Sequence, residues 1–252
     1  MTAIVALQAV AATLYLLTMA VVGCRLLFLA RRSRALPELF LGLSMILGGV
    51  IGALLEAGGL AAIRDFSPEV VGRLLLGGKL FGIAGLLFTG LFLWRVFRPG
   101  ERWAGLLVAA LVACSVSAFC GFAWHGTFST AEIPTLWLGV EFVGRIGSPC
   151  WLVFEASRYH GLMRRRLQLG LADPVVTNRF LLWTLAGGFS LGILLTSIPP
   201  AFLDPIRHEA LLITDLLVFT ACGVASSVCY ALAFFPPAAY RRRLHRLAEA
   251  RS

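Results

Sequence analysis

Five charged residues of the long apolar stretches in the sequence are expected to share one layer, and their types are suited to binding a charged ligand. They are Glu56, Lys79, Glu141, Arg145 and Asp215. A charged side chain at membrane depth costs about 2.5–3.5 kcal/mol on insertion scales, so such residues usually pair with one another or serve a function. In this pattern they are candidates for binding a small solute, an ion or a proton.

The spacing of these residues predicts two ion pairs. Glu141 and Arg145 are four residues apart and share one helix face. Glu56 and Lys79 flank a short polar connection at comparable distances, which predicts contact between two antiparallel helices. Lys79 is the only lysine of the chain, and a buried ammonium needs a carboxylate partner. Asp215 has no obvious partner in the sequence, so we expect it to titrate or to contact a ligand.

Two interpretations of these charges stay open at the level of sequence. In the first, they are interhelical ion pairs that fix the register of the helices. In the second, they line a polar cavity in the outer half of the membrane that binds a ligand, an ion or a proton. Intramembrane charges are functional candidates by default, and this slightly favours the second interpretation.

The composition identifies the elements that must hold these charges. Of the 252 residues, 59% are hydrophobic and 14% are charged, against roughly 45–50% and about 25% in soluble domains. This excludes a disordered chain, an ordinary cytosolic enzyme and a disulfide-stapled secreted domain. A membrane span needs about 20 apolar residues. The sequence predicts an all-α integral membrane protein, a seven-helix bundle with spans at about 4–30, 40–63, 70–94, 103–124, 134–154, 180–202 and 210–235.

The arginines predict the orientation of the bundle. Sixteen of them lie in four segments, which are Arg31–Arg34, Arg95–Arg102, Arg158–Arg179 and the tail from Arg241. Basic loops stay on the cytoplasmic side, so the amino terminus is expected outside and the carboxyl terminus inside. An odd number of spans agrees with this. We expect a bacterial inner membrane, with a transmembrane domain over residues 1–239 and a basic cytoplasmic tail over residues 240–252.

Small residues at four-residue spacing predict close helix packing in three of the spans. Helix backbones approach closely where such residues line up, because lipid supplies no hydrophobic force between helices. The residues are Ser44, Gly48 and Gly52 in the second span, Gly78 and Gly82 in the third, and Gly188 and Gly192 in the sixth. Pro149 is expected to bend or end the fifth helix.

Two arginine clusters predict a basic inner surface. One cluster is Arg164, Arg165 and Arg166, in what we expect to be the longest cytoplasmic connection, and the other is Arg241, Arg242 and Arg243 in the tail. Each basic residue near the surface attracts anionic lipid by about 1 kcal/mol. The alternative is docking of a cytoplasmic protein. Because this basic surface flanks membrane spans, no nucleic-acid partner is predicted.

No cofactor, metal site or catalytic constellation is predicted. The four histidines fall in loops or at span ends, whereas a haem needs histidines facing each other within spans. The topology resembles that of microbial rhodopsins and of receptor-type seven-helix proteins. Retinal proteins carry their Schiff-base lysine in the last helix, and the last span here has Asp215 but no lysine. Retinal in that position is therefore excluded.

These patterns favour a receptor-like or sensory protein that binds a small ligand or a proton in an outer polar layer. A helix rearrangement would then be read at the basic inner surface. The alternative is a channel or carrier for a small ion or solute, which would need polar groups through the inner half as well. A third hypothesis, an enzyme acting on lipid, lacks a nucleophile with a neighbouring base.

Overall fold

Eight helices cover the part of the chain that the structure describes. The computed structural model describes residues 2–63, 65–126, 135–196 and 209–249. In these ranges the chain is helical, with no strand. The helices are α1 (Thr2–Ser33), α2 (Leu36–Ala62), α3 (Pro68–Phe97), α4 (Arg102–Trp124), α5 (Thr135–Gln168), α6 (Pro174–Thr196), α7 (Glu209–Phe234) and α8 (Ala238–Glu249).

Six of the described helices are long and apolar enough to cross a membrane, which indicates an integral membrane protein in contact with lipid. They are α1 over Ala9–Ser33, α2, α3, α4, α6 and α7 over Leu216–Phe234. The fifth span of the sequence prediction falls within α5, which has 34 residues and is long enough. It is not among the six, because Glu141, Arg145 and Glu155 lower the hydropathy of its apolar part.

Local sequence signals account for where several helices begin and end. Pro68 and Pro174 stand in the first turn of α3 and α6, where a backbone N–H has no helical partner to lose. The Asp173 carboxylate caps α6, since its Oδ1 accepts hydrogen bonds from the backbone N–H of Val175 at 2.6 Å and of Val176 at 3.2 Å. Gly170, with φ of +69°, reverses the chain after α5.

One expectation for the region after the fifth span is wrong. The segment Arg158–Arg179 is not a long loop: α5 continues to Gln168 and α6 starts at Pro174, so only residues 169–173 connect them. Of the two effects expected of Pro149, a bend or an end of the helix, the second does not occur, because Pro149 lies inside α5. Proline removes a single backbone donor, and membrane helices tolerate that loss. Arg165 and Arg166 therefore lie in the last turn of α5, where basic residues complement the helix dipole.

The chain divides into two compact units. The first unit comprises Met1–Thr18 and Pro149–Ser252, and the second comprises Met19–Ser148. In the first unit α6 packs along α7 around a small core of Leu182, Ala186, Cys229 and Ala233, and α8 contacts α6. In the second unit α3 packs against both α2 and α4.

Glycines bring the backbones of α2 and α3 into direct contact. A Cβ added at Gly85 would lie 2.6 Å from the Cα of Gly48, and one added at Gly52 would lie 3.1 Å from the backbone nitrogen of Gly82. Beside this contact, residues Met45–Gly52 of α2 form a π-helix. The hydroxyls of Ser44 and Thr89 lie within hydrogen-bond distance where the two helices meet.

The glycines predicted to pack the sixth span have looser surroundings. A Cβ at Gly188 would meet no atom within 4 Å, and one at Gly192 would meet only the Sγ of Cys222 at 3.5 Å. Close backbone contact through the predicted small residues therefore occurs between α2 and α3, and these two helices carry Glu56 and Lys79.

Candidate functional site

Four of the five predicted site residues form a continuous chain of charges in the second unit. The Lys79 ammonium of α3 donates to Oε1 of Glu141 on α5. Its Nζ also lies 3.7 Å from Oε1 of Glu56 on α2. At the other end, Nη1 of Arg145 lies 3.5 Å from Oε1 of Glu141. We call Glu56, Lys79, Glu141 and Arg145 the four-charge chain; its two carboxylates and two cations sum to zero charge.

Both pairs predicted from spacing lie within ion-pair distance, and the contact that joins them was not predicted. Glu56 and Lys79 meet across consecutive antiparallel helices, and Glu141 and Arg145 meet one helical turn apart. The Lys79–Glu141 bond links residues 62 positions apart. No local spacing signals such a contact, because it depends on which helices are neighbours in space.

Close glycine contacts position the helices that carry the four charges. A Cβ at Gly78 would lie 2.6 Å from Cγ of Glu56, so the glycine next to Lys79 makes room for that carboxylate arm. On the other side, a Cβ at Gly144 would collide with Oγ of Ser115, and one at Gly147 would collide with the side chain of Leu111. Helix α5 therefore lies directly against α4, and its charged face is held beside α3.

Burial is graded along the four-charge chain. The exposed fraction of the side chain is 11% at Glu141 and 25% at Lys79, but 30% at Glu56 and 48% at Arg145. The Lys79 ammonium also lies 5.8 Å from the centre of the Phe122 ring, a favourable position for a cation. Glu141 is thus well enclosed and Arg145 is half-exposed, while Lys79 and Glu56 are partly buried to a similar extent.

A buried hydroxyl lies one turn beyond Arg145 on the same helix. Ser148 is 3% exposed, and its Oγ has no hydrogen-bond partner within the described ranges. It follows Glu141 by seven residues, which places both on one face of α5. A buried hydroxyl without a partner costs free energy, so a polar ligand or a water molecule would stabilise this position.

The remaining predicted site residue cannot be placed. Asp215 belongs to α7, but its side chain lies outside the described residues. Within the described ranges, no three His, Cys, Asp or Glu side chains are grouped as a metal ion would require.

A second polar cluster, in the first unit, was only partly visible in the sequence. Glu155 is fully buried, and its Oε2 lies 3.6 Å from Nη1 of Arg158. From the sequence, either Arg158 or Arg179 is a reasonable partner for Glu155. The structure shows the contact with Arg158. Nε of Arg179 instead donates to the backbone oxygen of Ala233 at 3.1 Å. The three-residue spacing from Glu155 to Arg158 is a signal that sequence can provide.

A side-chain hydrogen bond joins the basic tail helix α8 to α6 within the first unit. Nδ2 of Asn178 on α6 donates to the Tyr240 hydroxyl at 2.8 Å. Next to it, Nδ1 of His160 lies 3.1 Å from the backbone oxygen of Thr177. The predicted surface arginines, Arg164–Arg166 and Arg241–Arg243, are all exposed. Helix α8 therefore presents its arginines to the surroundings while Tyr240 contacts α6.

The charged and polar groups of the second unit form ion pairs, and groups of these types can also bind a charged or polar ligand. Comparison with protein-family models, with curated proteins and with solved structures gives no match. The functional assignment therefore rests on the residues of this chain.

Proposed function

We propose that this protein is a receptor-like or sensory protein of a bacterial inner membrane, and that the four-charge chain is its binding site for a small ligand or a proton. One observation carries the proposal: Glu141 is enclosed, while Arg145 at one end of the chain is half-exposed. Ion pairs that served packing alone would have no need of an open end. Asp215 stays a prediction from the sequence, as a residue that titrates or contacts a ligand.

In this proposal α5 also crosses the membrane, which brings the number of spans from six to seven. Its 34 residues extend about 51 Å at 1.5 Å per residue, more than the roughly 30 Å of the hydrocarbon core. Its charged residues lower its hydropathy, but the pairing of Glu141 with Lys79 and Arg145 offsets part of their insertion cost. Seven spans with the basic loops inside place the amino terminus outside, the carboxyl terminus in the cytoplasm, and the four-charge chain in the outer half.

Binding at an open end would act on the helices, because the ends belong to different elements. Glu56 is on α2 and Arg145 is on α5, and both are linked to Lys79 or Glu141. A ligand that binds the charged group at one end weakens the ion pair of that group. The attraction between the two helices then changes. The π-helix Met45–Gly52 lies directly before the turn that carries Glu56, and such segments are frequent at functional sites.

The basic inner surface is the proposed output. The exposed clusters Arg164–Arg166 and Arg241–Arg243 have the charge to bind anionic lipid or an acidic cytoplasmic protein. A shift of α5 would move the first cluster directly, because Arg165 and Arg166 form part of its last turn.

A channel or carrier for a small ion or solute is the second candidate. It is favoured by the buried polar residues Glu141, Ser148 and Glu155, which recur at seven-residue intervals along α5. From the sequence, few polar groups are expected beyond the outer layer. A transport path needs such groups along more of its length.

Reconstitution of the purified protein in liposomes distinguishes the two candidates. A sensor responds to acidification or to a ligand with a change in tryptophan fluorescence but conducts no ion; a selective current or uptake would establish the carrier instead. Glu56→Gln is expected to abolish the response, since it removes a charge from one end of the chain. Glu69→Gln, an exposed carboxylate on α3, is the matched control. An unchanged response in Glu56→Gln would refute the site.

A further inference from the structure

We propose that the ligand of this site is a small carboxylate, bound by the Arg145 guanidinium and the Ser148 hydroxyl. The inference rests on the proposed function and assigns its ligand class. The two groups lie three residues apart on α5: Arg145 is the half-exposed end of the four-charge chain, and Ser148 is buried one turn beyond it.

Arg145 has the chemistry and the exposure for this role. A guanidinium carries five N–H donors in a planar fork that matches the two oxygens of a carboxylate. The ion pair with Glu141 involves Nη1 at 3.5 Å, a long contact for a charge-assisted bond. With 48% of its side chain exposed, Arg145 is the most open member of the four-charge chain.

The depth of Arg145 indicates what its open half faces. It lies ten residues after Thr135, or about 15 Å along the helix axis. If α5 enters the membrane near Thr135, this is the middle of a hydrocarbon core of about 30 Å. A lipid headgroup phosphate is then too far to reach. A charge at that depth faces the interior of the bundle, a polar cavity or a partner of opposite charge.

Ser148 is the independent observation that points to a ligand there. Its hydroxyl is 3% exposed and has no partner within the described ranges, and it lies one turn from Arg145. Both groups can donate a hydrogen bond, so together they select an acceptor.

A carboxylate fits these donors better than phosphate does. It is planar and can receive two parallel bonds from one guanidinium. Its organic remainder is apolar, as are most residues around a membrane-embedded site, whereas phosphate carries more charge into surroundings that disfavour charge.

The test measures binding of acetate, benzoate, inorganic phosphate and methylammonium to the full chain in lipid nanodiscs, from the shift in Tm and from tryptophan fluorescence. We expect saturable binding of acetate or benzoate and weaker or no binding of the other two. Arg145→Lys keeps the charge but loses the fork, and should weaken binding about tenfold. Ser148→Ala should weaken it about fivefold. Arg158→Lys is the matched control, because Arg158 is also 48% exposed and on α5.

The outcomes separate this inference from the proposed function. Carboxylate binding that Arg145→Lys and Ser148→Ala leave unchanged would overturn the inference, as would preferential binding of phosphate or methylammonium. Absence of carboxylate binding would overturn it too. If acidification still changes the fluorescence and Glu56→Gln abolishes that change, the sensory function stands while the carboxylate assignment fails. If neither response occurs, both fail. Tm measured without ligand shows whether each variant folds.

Discussion

The bond between Lys79 and Glu141 should be the strongest coupling in the four-charge chain. Breaking a fully buried ion pair costs about 3–5 kcal/mol, and an exposed pair contributes about 0–1 kcal/mol. With side chains 25% and 11% exposed, Lys79 and Glu141 lie nearer the buried limit. We expect Lys79→Met and Glu141→Gln each to lower the free energy of unfolding by about 2–3 kcal/mol.

The double variant decides whether these costs arise from the bond itself. Lys79→Met alone leaves two carboxylates against one cation, and Glu141→Gln alone leaves the reverse imbalance. The double variant again sums to zero charge, so its loss should be smaller than the sum of the single losses by about 1.5 kcal/mol. The corresponding coupling for Glu56 with Lys79, and for Arg145 with Glu141, should be about 0.5 kcal/mol, because these contacts are longer and more exposed.

Unfolding by sodium dodecyl sulfate in mixed micelles, followed by tryptophan fluorescence, measures all three cycles. Arg73→Gln serves as the control for removing a charge from α3, since Arg73 is exposed near the end of the same helix. Additive losses for Lys79→Met and Glu141→Gln would show that the two residues do not stabilise each other. A larger coupling at either end pair than between Lys79 and Glu141 would contradict the expectation that the coupling energy falls as the exposure of the side chains rises.

Three further predictions concern packing, the tail helix and topology. Gly85→Ala should lower the free energy of unfolding by about 1–3 kcal/mol, because the new Cβ would meet the Gly48 backbone. Gly82→Ala is the control: its Cβ would meet no atom within 4 Å, so the change should be neutral or stabilising by about 0.5 kcal/mol. Tyr240→Phe should speed tryptic cleavage of α8 about fivefold by removing its hydrogen bond to α6, and an unchanged rate would exclude that bond as an anchor. Reporter fusions at residues 169–173 and at the carboxyl end should both be cytoplasmic; an external carboxyl end would contradict the proposed orientation of the bundle.

Local patterns in the sequence predicted what depends on one helix or on two consecutive ones. The apolar stretches predicted the helices, and four-residue spacing predicted the contact of Glu141 with Arg145. The bond from Lys79 to Glu141, and that from Asn178 to Tyr240, join residues far apart in the chain. Such contacts depend on the spatial order of the helices, which a single sequence does not encode in any local signal. The extent of α5 was underestimated because its basic residues resemble those of a loop.

The shared atom of the four-charge chain explains why binding at one end would be felt at the other. Oε1 of Glu141 contacts both Lys79 and Arg145. A carboxylate ligand that draws Arg145 away leaves Glu141 to Lys79 alone, which strengthens that bond and weakens the hold of Lys79 on Glu56 at 3.7 Å. The consequence is a change in the attraction between α3 and α2, although the ligand contacts α5. Since glycines hold α2 and α3 at backbone contact, we expect this change to act on Glu56 and its helical turn rather than on the whole interface.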